Sequence, residues 1–217
     1  MDLYEQGSPN RWKNIAGADF STVGGGVGNS AGARSSTIAG GDWGTIDPAA
    51  GYTFLGGGND RTITSSGIYG VIVGGFAHVL DGGYSSIGGG GRNAVHSPFA
   101  TVAGGAGNIV GVGGDRGFIG GGDSNQVLAS NAVVAGGVGN TAGGVGSAVL
   151  GGNNNAASGA HAVIAGGDHG SAGVSAFLGN GMYSHADGDF SFAGGGAYAV
   201  ATGYASVVVG GTLLYIR

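Results

Sequence analysis

A branched or aromatic apolar residue, one spacer and a Gly-Gly pair recur along almost the whole chain. The series runs TVGGG at Val23, TIAGG at Ile38, TFLGG at Phe54, VIVGG at Ile72, SIGGG at Ile87, TVAGG at Val102 and FIGG at Phe118. It continues with VVAGG at Val134, AVLGG at Val149, VIAGG at Ile164, AFLGN at Phe177, SFAGG at Phe192 and VVVGG at Val208. Successive anchors lie 15, 16, 18, 15, 15, 16, 16, 15, 15, 13, 15 and 16 residues apart. A unit this short buries nothing alone, so thirteen of them imply a stack in which each covers its neighbours. Helix is excluded, because two or more glycines per unit would each cost about 1 kcal/mol in a helix interior.

Each unit reads as two short strands and two turns. The first strand ends in Gly-Gly; the second starts about five residues later, often at Asn, as in Asn29-Ser-Ala31, Asn93-Ala-Val95, Asn125-Gln-Val127 and Asn140-Thr-Ala142. Glycine, and next asparagine, supply the positive-φ corners. The expected fold is all-β, a parallel β-roll or β-solenoid of about thirteen turns with a repeat near fifteen residues. Alternation along a strand sends the anchors inward and their neighbours outward. That outward column, Ala39, Leu55, Val73, Ala103, Ile119, Ala135, Leu150, Ala165, Leu178, Ala193 and Val209, is itself apolar. A strand apolar on both faces is normally covered on both, so the stripe predicts a side-by-side homotrimer about 60 Å long at ~4.8 Å per turn.

Composition narrows the function. There are 56 glycines in 217 residues, yet 41% of residues are hydrophobic and 9% charged, against the signature of disorder. One lysine, Lys13, and six scattered arginines form no basic stripe, and the net charge is −5, so nucleic acid is not an expected partner. Cysteine is absent, which removes disulfides and thiolate metal sites. No run reaches the ~18 apolar residues of a membrane span, and membrane insertion by this chain is not expected.

The last units, GDFSFAGGGAYAVATGYASVVVGG from Gly188 to Gly211, resemble the head repeats of trimeric autotransporter adhesins, which read roughly S-x-A-x-G-x-x-A-x-A-x-G. Ser191, Ala193, Gly195, Ala197 or Tyr198, Ala199, Val200, Gly203 and Ser206 fall on that pattern. Earlier units look more like related glycine-rich repeats of phage tail fibres and cell-surface proteins. The resemblance implies a left-handed parallel β-roll, trimerised side by side, that displays an adhesive surface on a fibre. The sequence departs from the adhesins in having no heptad stalk, neck or anchor barrel, which favours a phage fibre or similar appendage.

Chemistry is poorly represented. Glycine pairs such as Gly137-Val-Gly139 lack the lysine a phosphate loop requires. Gly-Asp corners at Asp115 and Asp123 do not keep the nine-residue period of calcium-binding rolls, and read as turn aspartates. His78, His96, His161, His169 and His185 show no metal-ligand pairing and read as exposed turn histidines, with His161 and His169 closest to a regular unit. Stacked corners could bring Asp115 and Asp123 together as a glycan-cleaving pair, but turns this short build no groove. No catalytic residue, metal or cofactor is expected.

What is left is decoration of the corners. Trp43, Tyr52, Arg61, Tyr69, Phe76, Tyr84, Arg92 and Phe99 are the expected ligand- or receptor-binding residues, aromatic and arginine side chains concentrated where the spacing stretches to 18 residues. Residues 1–19, with Tyr4, Pro9 and Trp12, read as a cap or connector, 20–211 as the repeat domain, and 212–217 as a terminal strand. The expected function is non-enzymatic: the receptor-binding or adhesive segment of a trimeric fibre, in a phage virion or on a bacterial surface, binding a host surface glycan or protein. The alternatives from other classes are a polysaccharide depolymerase and a purely structural shaft.

Overall fold

The computed structural model describes residues 12–217, and over that span the chain winds into a parallel β-solenoid of about thirteen turns. Each turn contributes two strands, most of them two residues long. Fourteen stack into sheet 1, from Ile15–Ala16 to Tyr215–Ile216, and thirteen into sheet 2, from Thr22–Val23 to Val207–Val208. Between the end strands, every strand pairs in parallel with its equivalents one turn before and one turn after. The stack begins before Phe20, since Ile15–Ala16 already pairs with Ser30–Ala31. Tyr4 and Pro9 lie outside the described residues.

A first corner leads from sheet 1 to sheet 2 and a second corner leads back. From the inward residue of sheet 2 to that of sheet 1 the count is always eight, as from Val23 to Ala31 or Ile119 to Val127. Across the first corner it is usually seven, as from Ala31 to Ile38. It rises to nine from Ile46 to Leu55, Ile63 to Ile72 and Val110 to Ile119, and falls to six from Ala172 to Leu178. Insertions therefore accumulate on one edge of the molecule and leave the other untouched.

The core is a pair of facing columns. Sheet 1 turns in Ala31, Ile46, Ile63, Leu80, Val95 and their equivalents; sheet 2 turns in Ile38, Leu55, Ile72, Ile87, Val102, Ile119, Val134, Val149, Ile164, Leu178, Ala193 and Val208. At four turns this corrects the expected anchors. Phe54, Phe118, Phe177 and Phe192 face outward, 37–40% exposed, while Leu55, Ile119, Leu178 and Ala193, assigned to the outward stripe, are fully buried. A one-residue slip exchanges the two faces of a strand. The rest of the stripe does face outward, from Ala39 through Val73 and Leu150 to Val209.

The second corner is rigid for two reasons. In every turn but that of Leu178, a left-handed glycine follows the inward residue of sheet 2 by three positions, as at Gly41 (φ +88°), Gly90 (φ +90°) and Gly122 (φ +87°). A Cβ there would collide with the carbonyl oxygen of the equivalent residue in the next turn, for instance Gly122 with Gly137. The second reason is a buried amide ladder through Asn29, Asn93, Asn108, Asn125, Asn140 and Asn155. Each Oδ1 accepts the N–H of the equivalent residue one turn on, as in Asn125 N to Asn108 Oδ1 at 3.0 Å and Asn140 N to Asn125 Oδ1 at 2.9 Å. Each Nδ2 donates to two glycine carbonyls, as Asn140 does to Gly136 and Gly152, both at 3.0 Å. Expected as turn residues, these asparagines are instead fully satisfied interior rungs, and none has positive φ.

Candidate functional site: an aromatic ladder on the first corner

The left-handed region is not confined to glycine. Tyr52 (φ 62°), Tyr69 (φ 55°), Tyr84 (φ 58°), Phe99 (φ 58°) and Arg116 (φ 57°) occupy one equivalent place at the first corner of five successive turns. Their N–H groups donate to the turn before, Tyr84 to Ile68 O at 2.8 Å and Phe99 to Gly83 O at 3.0 Å. An L-residue is uncommon there and carries strain. The geometry aims each side chain off the edge of the solenoid, and the rise between turns is close to the spacing of stacked rings.

The rings therefore form a continuous ladder. Tyr52 stacks on Tyr69 with centroids 5.1 Å apart and an interplanar angle of 8°, Tyr69 on Tyr84 at 4.8 Å and 19°, and Tyr84 on Phe99 at 5.2 Å and 13°. The Arg116 guanidinium lies 5.6 Å over the Phe99 ring and extends it. All four rings are about half exposed. Because their faces are taken by one another, they offer solvent their edges and, on the tyrosines, their hydroxyls.

Four of the eight expected binding residues thus come together, and the other four do not join them. Trp43, Phe76 and Arg92 lie on the second corner, where Trp43 meets Trp12 at 5.3 Å and Arg92 covers Phe76 at 5.6 Å. Arg61 is no surface residue: it is fully buried in the amide-ladder column, and its Nη1 donates to Gly56 O at 2.9 Å and to Gly57 O. Arg116 belongs to the ladder but is not one of the eight. Its signal is the fixed place that it shares with Phe99 in the repeat.

The histidines divide by position. His161 and His169 are exposed corner residues, and His169 Nδ1 sits 2.8 Å from Asp168 Oδ1 and stacks on Tyr183. Asp168 is held below the usual carboxylate range, chiefly by a hydrogen bond from Asn153 and then by His169. His78 is the exception to the expected exposure, being 1% accessible inside the amide ladder. On sheet 1's outer face His96 pairs with Asp81, and Ser171 Oγ meets both His185 Nδ1, at 2.7 Å, and Asp187 Oδ1. Asp115 and Asp123 are not brought together, since one adjoins the first corner and the other the second.

Sheet 2 presents a different surface. None of the residues it turns outward, from Thr22 and Gly24 to Val207 and Val209, is charged. Bulk is levelled from turn to turn: Phe54, Phe118, Phe177 and Phe192 are each followed two places on by glycine, at Gly56, Gly120, Gly179 and Gly194. A Cβ at Gly194 would lie 3.1 Å from the Phe192 ring. Where the second position is Ala, Val or Leu, as at Ala39, Val73 and Leu150, the first is Thr37, Val71 or Ala148. Beside this face, a Cβ added at Gly25, Gly40, Gly57, Gly89, Gly104 or Gly136 would meet nothing within 4 Å. Among the described residues no group of three or more His, Cys, Asp or Glu side chains gathers as for a metal ion. Comparison with known protein families and with curated proteins finds no match to this sequence.

Proposed function

We propose that the chain is a non-enzymatic, receptor-binding or adhesive segment of a fibre, foremost a phage tail fibre attaching to a host cell surface, otherwise a bacterial adhesin head. The observation that carries this reading is the exposed Tyr52–Tyr69–Tyr84–Phe99 ladder capped by Arg116. Rings locked by stacking and by a rigid backbone lose little freedom on binding. Their edges are electropositive and the phenol hydroxyls donate, so the ladder suits a ligand rich in acceptor oxygens that runs along the fibre axis, such as a surface glycan. Repetition of the site in several copies would raise weak contacts by avidity.

The uncharged, levelled face of sheet 2 supports side-by-side self-association, with a homotrimer as the proposed assembly. It spans about 60 Å by roughly 10 Å, or ~1,200 Å² over two partners, the lower bound of specific interfaces. A partner with the same rise per turn matches it along its whole length. Chemistry is not part of the proposal. In the Ser171 cluster the serine proton points to Asp187, which leaves His185 to donate to Oγ, the reverse of what activates a nucleophile.

The test is binding of the labelled protein to bacterial cells, capsule and lipopolysaccharide, with the Tyr52→Ala, Tyr84→Ala and Phe99→Ala variants beside it. A host surface that binds wild type should lose about tenfold or more affinity for each variant, with folding intact. Undiminished binding by all three overturns the ladder reading, and new reducing ends in the glycan overturn the non-enzymatic one.

A further inference from the structure

The amide ladder is broken in the turns that carry Tyr52, Tyr69 and Tyr84. In the column of Asn29 and Asn93 stand Gly44, Arg61 and His78, and the turns of Arg61 and His78 are those that present Tyr69 and Tyr84. His78 copies an asparagine: Nδ1 accepts the Asn93 N–H at 3.1 Å, as an amide oxygen does elsewhere. Its Nε2 faces the Gly74 and Gly90 carbonyls, four residues back and one turn on, the two acceptors of every asparagine rung, but forms a well-shaped hydrogen bond with neither. Only the neutral ring with its proton on Nε2 fits this place.

We propose that His78 is an acid-sensitive rung, whose protonation locally opens the turns that hold Tyr69 and Tyr84 and so regulates the aromatic ladder. The regulatory sense rests on the reading of that ladder as a recognition surface; the acid-sensitive rung stands without it. A proton on Nδ1 faces the Asn93 N–H donor, and that side-chain bond from one turn to the next is lost, leaving the backbone bonds beside it. The new charge also lies beside Arg61, itself fully buried, bonded only to carbonyls and with Nε unpartnered. Asp42 bears on Arg61 by charge alone. The next turn offers the neutral Asn93, while Asp60, Asp81 and Arg92 lie on the corners and outer face, exposed or half-buried.

Burial, the largest cause, lowers the His78 pKa below its ordinary 6.5; the backbone at Asn93 opposes it, the Arg61 charge lowers it further, and the backbone at Gly74 and Gly90 opposes it least. The opened turn binds the proton more readily than the closed one, so the closed state is fully favoured above about pH 6.5 and loses ground as pH falls below it. Since a solenoid turn touches only its neighbours, the opening is confined to a few turns.

Hydrogen exchange of the full-length protein, followed from pH 7.5 to 4.5 and corrected for intrinsic rates, tests this. Amides of Thr62, Val79 and Asn93 are expected to lose protection by up to about tenfold per pH unit below about 6.5, while those between Asn125 and Asn155 hold theirs. In His78→Asn, which restores the amide rung, the acid-dependent loss should vanish. The proposal is overturned if the wild-type loss is absent, is equal in the all-asparagine turns, or persists in His78→Asn. Should that variant not fold, 15N chemical shifts of the wild-type ring decide: a neutral Nε2–H form whose titration tracks the opening is expected, and titration without opening overturns it. Neither measurement uses a ligand, so failure of the adhesive reading and failure of the switch are separately visible.

Discussion

The guanidinium of Arg61 fills the place left by the missing side chain of Gly44 one turn earlier. Its Nη2 reaches Gly40 O at 3.4 Å, an acceptor belonging to the Gly44 rung, while Nη1 bonds Gly57 O, an acceptor of its own. One long side chain thus serves two rungs. A Cβ on Gly44 would sit 3.2 Å from Nη2 and 3.0 Å from Asn29 Oδ1, so the glycine and the arginine require each other.

That dependence gives a double-mutant cycle. Arg61→Asn alone empties the Gly44 rung and leaves buried carbonyls unpaired, at about 1–3 kcal/mol before any cavity. Gly44→Asn alone crowds the guanidinium. The pair, Gly44→Asn with Arg61→Asn, rebuilds two amide rungs and is expected to melt above both single variants in thermal unfolding followed by circular dichroism. Additive losses would show that the two residues act independently.

Two neighbouring glycines should behave oppositely. Gly137→Ala places a Cβ against the Gly152 carbonyl at φ +93°, and is expected to destabilise severely, by more than about 3 kcal/mol, or to prevent folding. Gly136→Ala meets nothing within 4 Å and should stay within about 0.5 kcal/mol of wild type. Matched denaturant melts of the two variants make the comparison.

Light scattering coupled to size-exclusion chromatography reads the assembly. Three times the chain mass is expected for wild type. Ala135→Arg together with Ala165→Arg, both on exposed positions of sheet 2's uncharged face, should shift the protein to lower mass. A wild-type protein that runs as a monodisperse monomer would end the self-association proposal.

Tyr69 separates strain from stacking. Replacing it with Ala removes ring contacts to Tyr52 and Tyr84 but keeps a β-carbon at φ 55°. Tyr69→Gly loses the same contacts and relieves the backbone, so it should be the more stable of the two by about 1 kcal/mol. Equal melting of the two variants would mean the turn bears no strain at this place.

The solenoid is legible from spacing, because a stacked turn must return glycine and apolar residues to the same places. The inward residue is not legible at four turns. Phe54, Phe118, Phe177 and Phe192 are the larger member of each pair and so the natural core candidates, and runs such as Gly56-Gly57-Gly58 let the glycine pair slide by one. Counting back three from Gly58, Gly122 and Gly196, left-handed and packed on the carbonyl of the next turn, gives the inward residue at three of the four. Gly181 after Leu178 is not left-handed, however, and Gly121 and Gly195, also of positive φ, count back to Phe118 and Phe192. Arg61 and His78 look like surface residues for a related reason. Their burial follows from sharing a column with Asn29 and Asn93, and insertions at the first corner hide that column from a fixed fifteen-residue count.

The sequence by itself determined a parallel coil of about thirteen turns and its glycine corners, since these follow from periodicity and residue type. Only the tertiary structure decided which side of each strand is inside, that the asparagines are an interior ladder, and that Tyr52, Tyr69, Tyr84 and Phe99 are one continuous surface. The reason is physical: side-chain facing is set by a one-residue register, and register is fixed by hydrogen bonds between turns, each joining residues about fifteen positions apart.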